Sequence, residues 1–150
     1  MKVEIYSKEK IKELLNRSDI LENTAVISFY DPPMARGNRA MPVDYTGKTN
    51  MLFQVAVNDI DIEVLPEYGF TFDTFFTEAE ELAEFIVEAH DKGMDIICQC
   101  EYGQSRSAAC AAAILEFYEQ KGISIFADYR YYPNQLIFNK VLDALRKIKW

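Results

Sequence analysis

Between Met94 and Tyr118 the chain passes from a short apolar run, Met94 to Cys98, through a polar loop containing a glycine, into an alanine-rich segment from Ser107. The run carries Ile96 and Ile97 without polar alternation, as suits a central strand buried on both faces. Alanine is the best helix former, and Lys121-Gly122 supplies a stop, so the second segment reads as a helix. A buried strand, a tight loop and a helix in succession imply an α/β domain, with a central, mostly parallel sheet flanked by helices.

The remaining pattern agrees. Residues 2–6 alternate like a short strand, and 8–16 place Ile11, Leu14 and Leu15 at helical spacing. Thr24 to Phe29 reads as a buried strand that stops at Asp31-Pro32-Pro33, where proline removes a donor. An irregular stretch with Arg36, Arg39 and Lys48 follows to about Asn50, then a strand over 51–57 and a long connection to about Thr77. Thr77 with Glu80 forms a capping-box pattern, and Leu82, Phe85, Ile86 and Ala89 share one face of a helix over 78–91 that Gly93 ends. A short helix or turn is expected at 124–131 and a last helix from about Asn134 to Ile148, started by Pro133. No second domain is visible, so residues 1–150 read as one.

Composition narrows the function. A chain of 150 residues, 49% hydrophobic, buries roughly 68–70% of its unfolded surface and needs no disulfide or metal staple. With 24 acidic against 16 basic side chains and a net charge of -8, it is a poor nucleic-acid binder, since that affinity comes from neutralising phosphates. No apolar run approaches the roughly 20 residues of a membrane span, and Met-Lys-Val-Glu-Ile-Tyr-Ser-Lys lacks the apolar core of a signal peptide. Three cysteines cannot all pair within the chain and suit a reducing compartment, so a cytoplasmic location is expected. A single histidine excludes any site needing two. The sequence carries no signal of oligomeric state.

The loop reads Cys100-Glu101-Tyr102-Gly103-Gln104-Ser105-Arg106-Ser107. If it curls so that the N–H groups of 101–106 converge where the next helix begins, it makes a nest for a tetrahedral dianion, with Gly103 permitting the curvature. The same potential stabilises a thiolate at the head of the loop, so Cys100 is the candidate nucleophile. Arg106 offers a planar fork for phosphate and for the charge of the transition state. The Ser107 hydroxyl can donate to the sulfur when it leaves in a second step.

This loop resembles that of the cysteine-dependent protein tyrosine phosphatases, most closely the small dual-specificity-like members. The likeness extends to the flanking strand and helix, the helix at 78–91 and Tyr132-Pro133-Asn134, about half of the chain. It implies a metal-independent phosphomonoester hydrolase without cofactor, working through a cysteinyl-phosphate on a phosphorylated protein or a small phosphomonoester. It also implies a general acid on the loop after the 51–57 strand. Asp59 in Asn58-Asp59-Ile60-Asp61 takes that place, with Asp61 as the runner-up and Asp73 as an outsider; solvated loop charges are the plain alternative for all three. Two departures matter. Gln99 stands where the family has histidine, so a contribution to loop order differs and reduced activity is expected. Glu101 adds negative charge and the loop has no lysine, which disfavours phosphoinositides.

Two other functions stay open: a phosphate- or phosphopeptide-binding module without turnover, and a thiol-based oxyanion reductase in which Cys98 or Cys110 resolves Cys100. Both cysteines read more simply as packing residues. Zinc on Cys98, Cys100, Cys110 and His90 is disfavoured by the Cys-x-Cys spacing. His90 suits the last turn of its helix, and Tyr129, Tyr131 and Tyr132 read as packing or half-exposed aromatics rather than a groove.

Overall fold

The computed structural model describes residues 1–17, 20–33 and 41–149; Arg36 and Arg39 lie outside the described residues. Four strands, β1 (Val3–Tyr6), β2 (Thr24–Tyr30), β3 (Met51–Ala56) and β4 (Asp95–Gln99), form one sheet in the order β1-β4-β2-β3. Every pairing is parallel, so the sheet is more uniform than the mostly parallel one expected. Parallel neighbours need crossovers, and these place helices on both faces. Helix α1 (Lys8–Arg17) covers one, while α2 (Ala79–Asp91), α3 (Arg106–Glu119) and α5 (Gln135–Lys149) cover the other; α4 (Ile123–Phe126) is a single turn.

Strand alternation sorts the core. Ala25, Ile27 and Phe29 join Ile96, Cys98 and the α2, α3 and α5 residues, whereas Val26 and Ile97 meet Ile11, Leu15, Val43 and Tyr45 on the α1 side. Fully buried side chains such as Ile27, Leu82, Ile86, Ile114 and Leu145 contribute about 1.5–3 kcal/mol each relative to exposure. In α3 every residue from Arg106 to Ile114 is buried, so its alanines serve close packing on all sides as well as helix propensity.

Three boundaries differ from the pattern reading. Thr77 does not cap α2: turns over 72–78 already coil the chain, the Ala79 N–H donates to the Phe76 carbonyl (3.1 Å), and the Thr77 hydroxyl faces Glu78 instead. Pro133 lies one residue ahead of the cap of α5, and the cap is Asn134, whose Oδ1 accepts from the Ile137 N–H at 2.9 Å. The long connection carries a 3₁₀ helix, Ile62–Tyr68, closed by Gly69 at φ 78°. The stop at Gly93 holds: its N–H reaches the His90 carbonyl and that of Met94 the Ala89 carbonyl, a Schellman closure. Among the described residues, no helix is long and apolar enough to cross a membrane.

Candidate active site

The two inner strands, β4 and β2, deliver the site at their carboxyl ends, where open parallel sheets collect ligands. Cys100 follows β4 directly and is 2% exposed. Its N–H donates to the Tyr6 carbonyl (3.2 Å), and its Sγ lies 3.0 Å from Ser107 Oγ in the first turn of α3.

The intervening loop is held by its carbonyls. Glu101 O accepts from the Lys8 N–H (3.0 Å), Gln104 O from Tyr132 (2.8 Å), and Ser105 O from Ala109 (2.9 Å) and Asn134 (3.2 Å). Among the described residues, none of the N–H groups from Glu101 to Ser105 donates to another protein group. Gly103 takes φ 66°, and a Cβ there would sit 2.7 Å from the Ser7 nitrogen, so the loop presses backbone on backbone against the β1–α1 junction. Tyr102, by contrast, points its ring into solvent, 78% exposed.

Arg106 is 4% exposed. One terminal nitrogen donates to Asp31 Oδ1 and to the Val57 carbonyl, both at 2.8 Å, while its buried Nε has no acceptor among the described residues. Asp31 directly follows β2 and was missed in the sequence, where Asp31-Pro32-Pro33 signalled only a strand stop. The parallel pairing of β2 with β4 is what brings it to the loop.

Of the three aspartates, Asp59 meets the loop. Its Oδ1 accepts from Ser105 Oγ (2.7 Å) and from Asn134 Nδ2 (2.9 Å), and Asn134 Nδ2 also reaches the Ile60 carbonyl (3.0 Å). Asp61 lines the same cleft but is exposed, with no side-chain bond capping the 3₁₀ helix that it precedes. Asp73 borders a different cleft, with Lys140 and Lys147. The first cleft, about 750 Å³, touches the loop through Ser105 and is walled by Asp59, Asp61, Glu63, Phe72, Tyr131 and Tyr132. Tyr131 and Tyr132 thus line a groove, which the plain packing reading did not expect.

Cys98 and Cys110 are wholly buried, and the neighbouring Cys110 thiol, together with burial, pushes the Cys98 thiol well above its ordinary value. Such a thiol is a poor resolving nucleophile for an oxyanion reductase. His90 occupies the last turn of α2 and stacks on Tyr118, ring centroids 3.8 Å apart.

No protein-family model matches the chain, and no curated protein matches it in sequence. Solved structures do match in shape. Human DUSP28 aligns at TM-score 0.53 and 15% identity, over 98% of this chain and 93% of that one. The PTP-2 phosphatase of Cydia pomonella aligns at 0.56 and 13%, over 95% and 85%. PTPMT1, crystallised in complex with PI(5)P, aligns at 0.54 and 14%, over 99% and 92%. The chain has the fold of the cysteine-dependent protein tyrosine phosphatases. Dual-specificity phosphatases are among the solved structures whose shape it shares.

Proposed function

We propose that residues 1–150 form a single phosphatase domain that hydrolyses phosphomonoesters through a cysteinyl-phosphate. The observation that carries this reading is that, among the described residues, one loop joins a Cys100 sulfur 3.0 Å from Ser107, five N–H groups spent on no other protein group and a buried Arg106 Nε without an acceptor. A buried donor left unmatched costs about 1–3 kcal/mol, which a bound oxyanion would relieve.

In the first step the Cys100 thiolate attacks phosphorus, the ester P–O bond breaks, and Asp59 gives its proton to the departing oxygen. The loop N–H groups and Arg106 hold the charge on the equatorial oxygens. In the second step water attacks the thiophosphate, Asp59 takes the water's proton, and the thiolate leaves with a hydrogen bond from Ser107. Charge stabilisation comes from Arg106 and backbone amides, so turnover proceeds without added metal. Substrates are phosphorylated proteins or small phosphomonoesters, and the reactive thiol fits a reducing, cytoplasmic setting.

The test is hydrolysis of an aryl phosphate in the presence of a chelator, with an acid-quenched phosphoryl adduct on the Cys100 peptide. Cys100→Ser is expected to lose both; unchanged turnover in that variant would falsify the reading. One observation favours the rival binding module: Asp59 Oδ1 is already spent on two donors. That rival is distinguished by phosphate binding with no turnover of activated aryl esters.

A further inference from the structure

Gln99 lies on the face of β4 opposite Cys100, beneath α1 and the 41–45 segment, and is 2% exposed. Both ends of its amide are engaged. Oε1 accepts from the Ser28 hydroxyl (2.6 Å) and the Tyr45 phenol (2.7 Å), while Nε2 donates to the Cys100 carbonyl (3.0 Å). Gln54 Nε2 secures the far side, donating to Ser28 Oγ (3.2 Å) and the Val43 carbonyl (2.9 Å). Turning the amide over would set its oxygen against the Cys100 carbonyl, so the surroundings fix its orientation. Burial raises the Tyr45 phenol above its ordinary value, which keeps it neutral and able to donate.

The Cys100–Glu101 peptide bond is trans, so its N–H points opposite to its carbonyl. Holding that carbonyl towards the α1 face turns the Glu101 N–H the other way. We propose that Gln99, clamped by Ser28 and Tyr45, is a positioning residue that fixes the Cys100–Glu101 peptide plane and keeps the Glu101 N–H aimed at an anion in the loop. This rests on reading residues 100–106 as a phosphate loop. An amide with one donor and one acceptor end does here what an imidazole could do, without a group that titrates near neutral pH. Tyr45, far from the loop in sequence, thereby becomes part of its support.

The experiment measures protection of Cys100 from iodoacetamide by inorganic phosphate, with alkylation followed on the Cys100 peptide by mass spectrometry. This readout needs no turnover. Gln99→Met keeps the side chain's length but removes the donor, and the phosphate concentration giving half-protection is expected to rise about tenfold, the effect of one lost hydrogen bond to an anion. Tyr45→Phe frees Oε1 from one of its two donors and should raise it about threefold by the same reasoning. Gln99→His, which returns one donor and one acceptor, should restore protection to within about threefold of wild type. Thermal melts establish folding, and if Gln99→Met does not fold, Tyr45→Phe decides. Half-protection unchanged in both variants overturns the proposal. Wild-type protein that phosphate does not protect overturns the loop reading itself, and this inference with it. The expected ranking without any hydrolysis of aryl phosphate leaves the inference standing and removes only the phosphatase reading.

Discussion

Asp59 and Asp61 stand two residues apart on one acidic segment, yet only Asp59 is bonded to the loop, through Ser105, and to the cap of α5, through Asn134. A general acid matters most when the leaving oxygen is a poor one. Asp59→Asn is therefore expected to lower kcat by about 10²- to 10⁴-fold for an alkyl phosphate and far less for a nitrophenyl ester, with Asp61→Asn near wild type on both. A leaving-group series on the two variants checks this; equal, small effects would reject Asp59. Gly103 is a second residue-scale constraint. Gly103→Ala demands a left-handed alanine and pushes a Cβ to 2.7 Å from the Ser7 nitrogen, so the variant should lose at least about 1–2 kcal/mol. For a chain of this size that is a fall in Tm of roughly 2–8 °C, read by calorimetry; an unchanged Tm would show that the β1–α1 junction yields freely.

At the scale of elements, the sequence was legible wherever a local rule decides. The apolar run of β4, the alanines of α3 and the glycine stop after α2 each carry their own physical reason within a few residues. The loop chemistry was legible on the same ground, because Cys100, Gly103, Arg106 and Ser107 are neighbours in the chain. What stayed hidden needs the sheet order. Asp31 reaches Arg106, and Ser28 reaches Gln99, only because β2 lies beside β4, and no local pattern specifies that pairing. The cap of α2 failed for the related reason that turns over 72–78 already satisfy the helix start. The ring stack that joins the ends of α2 and α3 yields a further prediction. Tyr118 stacks on His90 with its hydroxyl buried and, among the described residues, unpaired, and burial, with Asp91 nearby, pushes the phenol up to about 12. The folded state thus prefers the neutral phenol; the stability this lends is fully present below pH about 10 and is lost as pH rises towards about 12. Denaturant melts at neutral and alkaline pH should show that loss in wild type and a smaller one in Tyr118→Phe, which at neutral pH should be as stable as wild type or more so. Identical alkaline losses in the two proteins would place the titration elsewhere.

Over the whole molecule, a net charge of -8 surrounds a site meant for a dianion. The two facts are compatible because the attraction is short-range: Arg106 and the loop amides act on one phosphoryl group in contact, while Glu101, Asp61 and Glu63 act on whatever extends beyond it. Two unit charges about 10 Å apart in water interact by roughly 0.4 kcal/mol. A second phosphate, carrying about -1.5 to -2 charges and facing several carboxylates, should therefore meet a penalty of about 1–3 kcal/mol. A singly phosphorylated peptide should then be favoured in kcat/KM over its doubly phosphorylated counterpart by roughly tenfold or more at low ionic strength. The origin of that preference is testable through salt. Raising ionic strength from about 0.01 M to about 0.15 M shortens the Debye length from roughly 30 Å to about 8 Å, so an electrostatic preference must narrow several-fold. A preference that holds constant across that range would assign the discrimination to the shape of the cleft instead, and the acidic surface would then have no part in choosing the substrate.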